Sequence, residues 1–147
     1  PYFRFADSGE LTPVDVDWLA EADSAGDELR LLDGEREPGN GSLCFTATDS
    51  SSVLWPLGSE LAGPDLVIRT LATVDDESTF QITVRGAGTD GFDRANEDGH
   101  ELGPDLLGVL DTVATASVAT VRVKGFTPGV RVCLGSLAVG RVVSSAG

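Results

Sequence analysis

The sequence is poor in the residues that most reactions need. It has no methionine, one histidine (His100), one lysine (Lys124), one tyrosine (Tyr2) and two cysteines, Cys44 and Cys133. His100 stands among loop residues with no nucleophile elbow near it. That disfavours Ser-His-Asp and Cys-His catalysis. No CxxC or Cys/His cluster suggests zinc. No apolar run approaches the ~18 residues of a membrane-spanning helix. The opening PYFRFADSGE lacks the basic-then-apolar pattern of an export signal. These absences point to a protein that works by binding or assembly, not by catalysis.

Positive charge is also scarce. Ten Lys and Arg stand against 24 Asp and Glu, a formal net charge of -14. A phosphate backbone needs Lys and Arg to replace its counterions, so nucleic acid is disfavoured as a partner. Anionic lipid is disfavoured for the same reason, so no membrane is expected. Dense carboxylates with almost no lysine fit either a halophilic, salt-adapted surface or an ordinary acidic protein. Pro1 reads either as a start left by removal of an initiator methionine, hence a chain made in the cytoplasm, or as a position inside a longer chain.

What is present is a β pattern. The 147 residues, 41% hydrophobic, suit one domain. Residues 2–6 alternate, and so do Val14, Val16 and Trp18 against Asp15 and Asp17, a period of two. Further strands are expected at 28–33, 43–48, 65–73, 79–85, 117–125 and 129–134, with a last one in the tail; 104–110 reads as a strand or, by the stripe Leu102, Leu106, Leu110 and Val113, as a helix that Pro104 and Gly108 weaken. Two pairs, 65–73 with 79–85 and 117–125 with 129–134, read as antiparallel hairpins. Residues 49–64 and 86–101 read as long connections. The expectation is an all-β antiparallel β-sandwich or jelly roll of about eight to nine short strands. It forms a single domain over 1–147, with 1–12 a candidate N-terminal arm.

The alternation phases the cysteines. Leu43, Phe45 and Ala47 share one face, which turns Cys44 to the other; Val130, Val132 and Leu134 do the same for Cys133. Two outcomes stay open: separate buried thiols, or a cross-strand disulfide if the two strands are neighbours.

The segment VATVRVKGFTPGVRVCL, 118–134, resembles the final hairpin of concanavalin-A-like (LamG-type) jelly rolls. PDLVIRTLATVDDESTFQITVRGAG, 64–88, resembles the central hairpin of the same family. The matched features are the hydrophobic alternation, Arg69, Arg85-Gly86, Arg122 and Gly125. Hydrolases of that fold carry an E-x-D-x-x-E run on one strand, which this chain lacks. The family's non-catalytic domains occur in viral tail fibres, capsid decorations and surface lectins. The resemblance therefore implies a non-enzymatic virion structural protein, a capsid decoration or fibre component, located in the virion. Its partners would be other virion subunits, as a homo-oligomer with a trimer as the expected form. The alternative is a carbohydrate-binding, lectin-like module whose partner is a cell-surface glycan.

Candidate site residues follow from side-chain chemistry. Trp55, before Pro56 in an expected loop, is the candidate sugar platform, with Asp90, Asp93 and Asp98 as ligand-binding carboxylates. Trp18 and Tyr2 are weaker platforms, since core packing accounts for most aromatics. Asp90, Asp93, Glu97 and Asp98 form an oxygen-rich, glycine-containing loop, the kind of set Ca²⁺ takes, though without EF-hand spacing. Ca²⁺ is the one candidate cofactor. Gly86-Ala87-Gly88-Thr89-Asp90-Gly91 matches G-x-G-x-x-G, but the acidic residues after it do not make a phosphate-binding helix.

Overall fold

The computed structural model describes residues 2–5, 11–23, 28–38, 41–86, 91–94, 100–102, 108–112 and 117–145. Every regular element among them is a strand. In chain order they are β1 (Tyr2–Phe5), β2 (Leu11–Asp23), β3 (Arg30–Leu32), β4 (Leu43–Thr46), β5 (Ser52–Ala62) and β6 (Leu66–Val74). Then come β7 (Ser78–Arg85), β8 (Asp93–Arg94), β9 (His100–Leu102), β10 (Gly108–Thr112), β11 (Ser117–Lys124) and β12 (Arg131–Ser145). They form two antiparallel sheets. The first runs β1-β2-β12-β6-β10, with β4 also on β12; the second runs β3-β5-β11-β7-β8, with β9 also on β7. The all-β sandwich is as the periodicity predicts, with twelve strands among the described residues where eight or nine are expected.

The core lies between the sheets. Strands of both sheets give alternate residues to it: Leu43 and Phe45 from β4, Val53 and Trp55 from β5, Leu66 and Ile68 from β6. Phe80, Ile82 and Val84 come from β7, Val121 and Val123 from β11, Val132 and Leu134 from β12. Period-two alternation puts one set on the inner face and leaves the other to the outside. Phe126 closes one end. Its ring meets Phe45 edge-on at 5.5 Å and stacks with Phe80 at 6.4 Å, so one turn residue ties the two sheets together.

Neither expected hairpin is one. β6 and β11 pair with strands of opposite sheets, and the chain crosses the sandwich between β6 and β7 and again between β11 and β12. The two crossings lie side by side and bond to each other instead of closing their own strands. Thr127 N–H donates to Ser78 Oγ at 2.9 Å, Thr79 Oγ1–H to the Gly125 carbonyl at 2.8 Å, and Arg131 N–H to Asp75 Oδ1 at 3.0 Å. Gly125 (φ 78°) and Gly129 (φ 88°) supply left-handed backbone for the second crossing. Alternation fixes which face is buried but not which strand is the neighbour.

Cys44 and Cys133 are register partners on β4 and β12 and are joined as a disulfide across 89 positions. Leu43 and Phe45 beside Cys44, and Val132 and Leu134 beside Cys133, point into the core. The bond therefore lies on the outer side of the first sheet.

Residues 52–62, expected in a connection, are strand β5. Trp55 alternates inward with Val53 and is only 4% exposed. Pro56 does not end the strand. β3 pairs with β5 only at Ser52–Leu54, so beyond it Pro56 faces no β3 partner that would need its missing N–H.

Candidate functional site

The sequence-based site does not assemble as expected. Trp55 is a core residue and offers no ring to solvent, so its assignment as a sugar platform is corrected: its strand turns it inward. Asp90, Glu97 and Asp98 lie outside the described residues. Asp93 is placed only as a position on β8, opposite Val84. Among the described residues no group of three or more His, Cys, Asp or Glu could hold a metal ion. After Gly86, the next described element is strand β8, which pairs back on β7.

A different aromatic is presented. β2 and β12 lose register between Val139 and Gly140: Val139 pairs with Ala20, and Gly140 with Trp18, leaving Leu19 as an extra residue on β2. A bulge of this kind reverses the phase of the strand. Ala20 and Ala22 consequently pack in or against the core, while Val16 and Trp18 turn to the outside. There they form a second, smaller apolar cluster with Val67 and Val142. Both tryptophans are thus placed opposite to the sequence expectation.

The central strand makes room for Trp18. Gly140 lies between Trp18 and Val67 in register. A Cβ there would press on the Val16 side chain and come within 2.8 Å of Trp18 Cε3. Next along, Ala138 lies between Glu21 and Arg69. With only a methyl below, those two side chains meet above it: Arg69 Nη2 donates to Glu21 Oε2 at 2.9 Å. The Arg69 guanidinium also lies 4.7 Å from the centre of the Trp18 ring, a cation–π arrangement.

The result is a composite patch on the outer face of the first sheet. It combines the Trp18 indole, the Arg69 guanidinium over its ring and the Glu21 carboxylate bonded to that guanidinium. Leu71, on the same side of β6 as Arg69, is 37% exposed beside it. Such a patch sets aromatic and aliphatic carbon beside fixed donors and an acceptor, a mixture that suits a pyranose ring. The C–H face of a sugar stacks on aromatic carbon, and its hydroxyls need both donors and acceptors.

No family model and no curated protein sequence matches the chain. Solved structures do. A low-affinity xylan-binding module of family 86 from the gut symbiont Roseburia intestinalis is similar with a TM-score of 0.58 and 14% identity, over 84% of this chain and 94% of that one. A mutant of a family 29 carbohydrate-binding module is similar with a TM-score of 0.59 and 11% identity, over 86% and 89%. A family 32 carbohydrate-binding module produced by Clostridium perfringens is similar with a TM-score of 0.51 and 14% identity, over 82% and 99%. The jelly-roll sandwich is shared with these modules, in keeping with the concanavalin-like resemblance.

Proposed function

We propose that the protein is a non-catalytic carbohydrate-binding module and that it holds a neutral polysaccharide on the outer face of the first sheet. The observation that carries this reading is Trp18 at a bulge, turned outward and framed by Arg69 and Glu21 over Gly140 and Ala138. The fold shared with carbohydrate-binding modules supports the class of ligand. The expected virion role draws no support from those neighbours, and neither does the expected trimer, so the lectin-like alternative becomes the main reading. A disulfide persists in oxidising surroundings. We therefore place the module outside the reducing cytosol, where polysaccharides are met.

One half-buried aromatic on an open face supports weak binding, with a dissociation constant of about a millimolar. The test is calorimetric titration with soluble xylan, mannan and mixed-linkage glucan. Binding to at least one, lost on Trp18→Ala while melting is little changed, supports the reading. Equal binding by Trp18→Ala removes the site; failure of every glycan removes the function.

A further inference from the structure

The outer face of the second sheet has a composition unlike the rest of the chain. Its outward positions, read from the register, are Arg30 and Leu32 on β3, then Ser52, Leu54 and Pro56 on β5. Thr120, Arg122 and Lys124 follow on β11, and Gln81, Thr83 and Arg85 on β7. Four of the ten bases in the sequence stand there, and two acids share the face: Glu60 further along β5, and Glu101 at the β9 position opposite Thr79. In a chain of net charge -14, this is a surface on which bases outnumber acids.

The bases are also aligned. Arg30, Leu54, Arg122, Thr83 and Arg94 are successive register partners across β3, β5, β11, β7 and β8. Adjacent strands lie about 4.8 Å apart, so arginine positions recur about every 10 Å along this row. That is close to the length of one disaccharide in an extended chain.

The arginines near the centre are held ready. Arg122 Nε donates to Thr83 Oγ1 at 3.1 Å. Its guanidinium lies 4.0 Å from the centre of the Phe92 ring, and that of Arg85 lies 4.7 Å from the same centre. Stacking fixes the guanidinium plane but leaves the N–H edges directed away from the ring, where a planar carboxylate can bind bidentately. Burial, and then the like charge of Arg85, push Arg122 below the ordinary arginine value. An anion between the two would relieve that repulsion.

We infer that this face binds a linear uronate-bearing polysaccharide with about one carboxylate per disaccharide, laid across the strands over Arg30 and Arg122, with Arg85 beside Arg122 over the same Phe92 ring. Only the ligand class, a glycan, rests on the proposed function; the site is separate and on the opposite sheet. A nucleic acid fits less well, because its much denser charge would meet the strong repulsion of the whole molecule.

The experiment uses the full chain and four polymers: hyaluronan, carboxyl-reduced hyaluronan, dextran sulfate and poly(U), compared by affinity electrophoresis and calorimetry. Hyaluronan should be retained. Its affinity should fall about tenfold or more on carboxyl reduction, and again on raising salt from low to about 0.5 M. Arg30→Glu, at an exposed position, and Arg122→Gln should each weaken hyaluronan about tenfold. Neither should affect a neutral glycan bound at Trp18. Equal retention of the carboxyl-reduced polymer overturns the inference. So does retention of dextran sulfate or poly(U) at least as tight as hyaluronan, or indifference to both arginine variants. Hyaluronan binding lost on Trp18→Ala but not on Arg30→Glu would move the glycan to the other face, overturning this site and leaving the first intact.

Discussion

Trp18 and Trp55 both lie on strands and have opposite fates. The extra residue Leu19 turns Trp18 outward, while Trp55 keeps the inward phase of Val53. Their variants should therefore separate. Trp55→Ala removes a core ring and should cost about 3–5 kcal/mol in a urea titration. Trp18→Ala should cost far less, because the ring lies on an outer face. Acrylamide should quench fluorescence of Trp55→Phe, which retains Trp18, more strongly than that of Trp18→Phe. Gly140→Ala is a sharper probe. The added methyl collides with Trp18 and Val16, so an overpacking loss of about 1–3 kcal/mol is expected, together with weaker glycan binding. If Gly140→Ala binds and melts like the parent protein, Trp18 does not rest on the bare backbone of β12.

At the scale of strands, the sequence announces elements more clearly than partners. The apolar phases of 43–47 and 130–134 are visible in Leu43, Phe45, Val132 and Leu134, and they place both cysteines on the outer side. That the two strands are neighbours is not visible, since 89 positions separate the cysteines and only the sheet brings them together. The two false hairpins have the same origin. Short turns and matched alternation look alike whether the chain folds back beside itself or crosses to the opposite sheet. The hydrogen bonds that decide, such as Thr127 to Ser78, join residues about fifty positions apart. The candidate site was hidden by a bulge, a one-residue defect that no periodicity reports. The disulfide adds its own expectation. Reduction, or Cys44→Ser with Cys133→Ser, should cost about 2–4 kcal/mol, read as a lower urea midpoint with an intact far-ultraviolet spectrum in water.

Across the whole molecule, charge is distributed between surfaces rather than merely accumulated. With 24 acids and ten bases, the folded state carries net self-repulsion that salt screens. The melting temperature should rise between about 10 mM and 150 mM sodium chloride, as the screening length falls from about 30 Å to about 8 Å. A melting temperature that falls over the same range would mean that local ion pairs such as Arg69–Glu21 outweigh the general repulsion. Salt should act in the opposite sense on any carboxylated glycan held by the second sheet. The two faces can thus be told apart by one titration, since a neutral glycan stacked on Trp18 should be nearly indifferent to it.

The covalent tie between β4 and β12 also has a mechanical meaning. If the protein holds an insoluble polysaccharide as proposed, it bears load whenever that polymer moves. Force entering on either side of the Cys44–Cys133 bridge is carried by the bridge, and the intervening chain is left out of the load path. That chain contains β5, β6, β7 and β11, and with them most of the second sheet, Arg85 and Arg122 included, while Arg30 on β3 lies outside it. Stretched in an optical trap, the oxidised protein should lengthen only by the segments outside the bridge, and the reduced protein by nearly the whole chain. The outer strands can yield as a shock absorber while the enclosed loop cannot be drawn out.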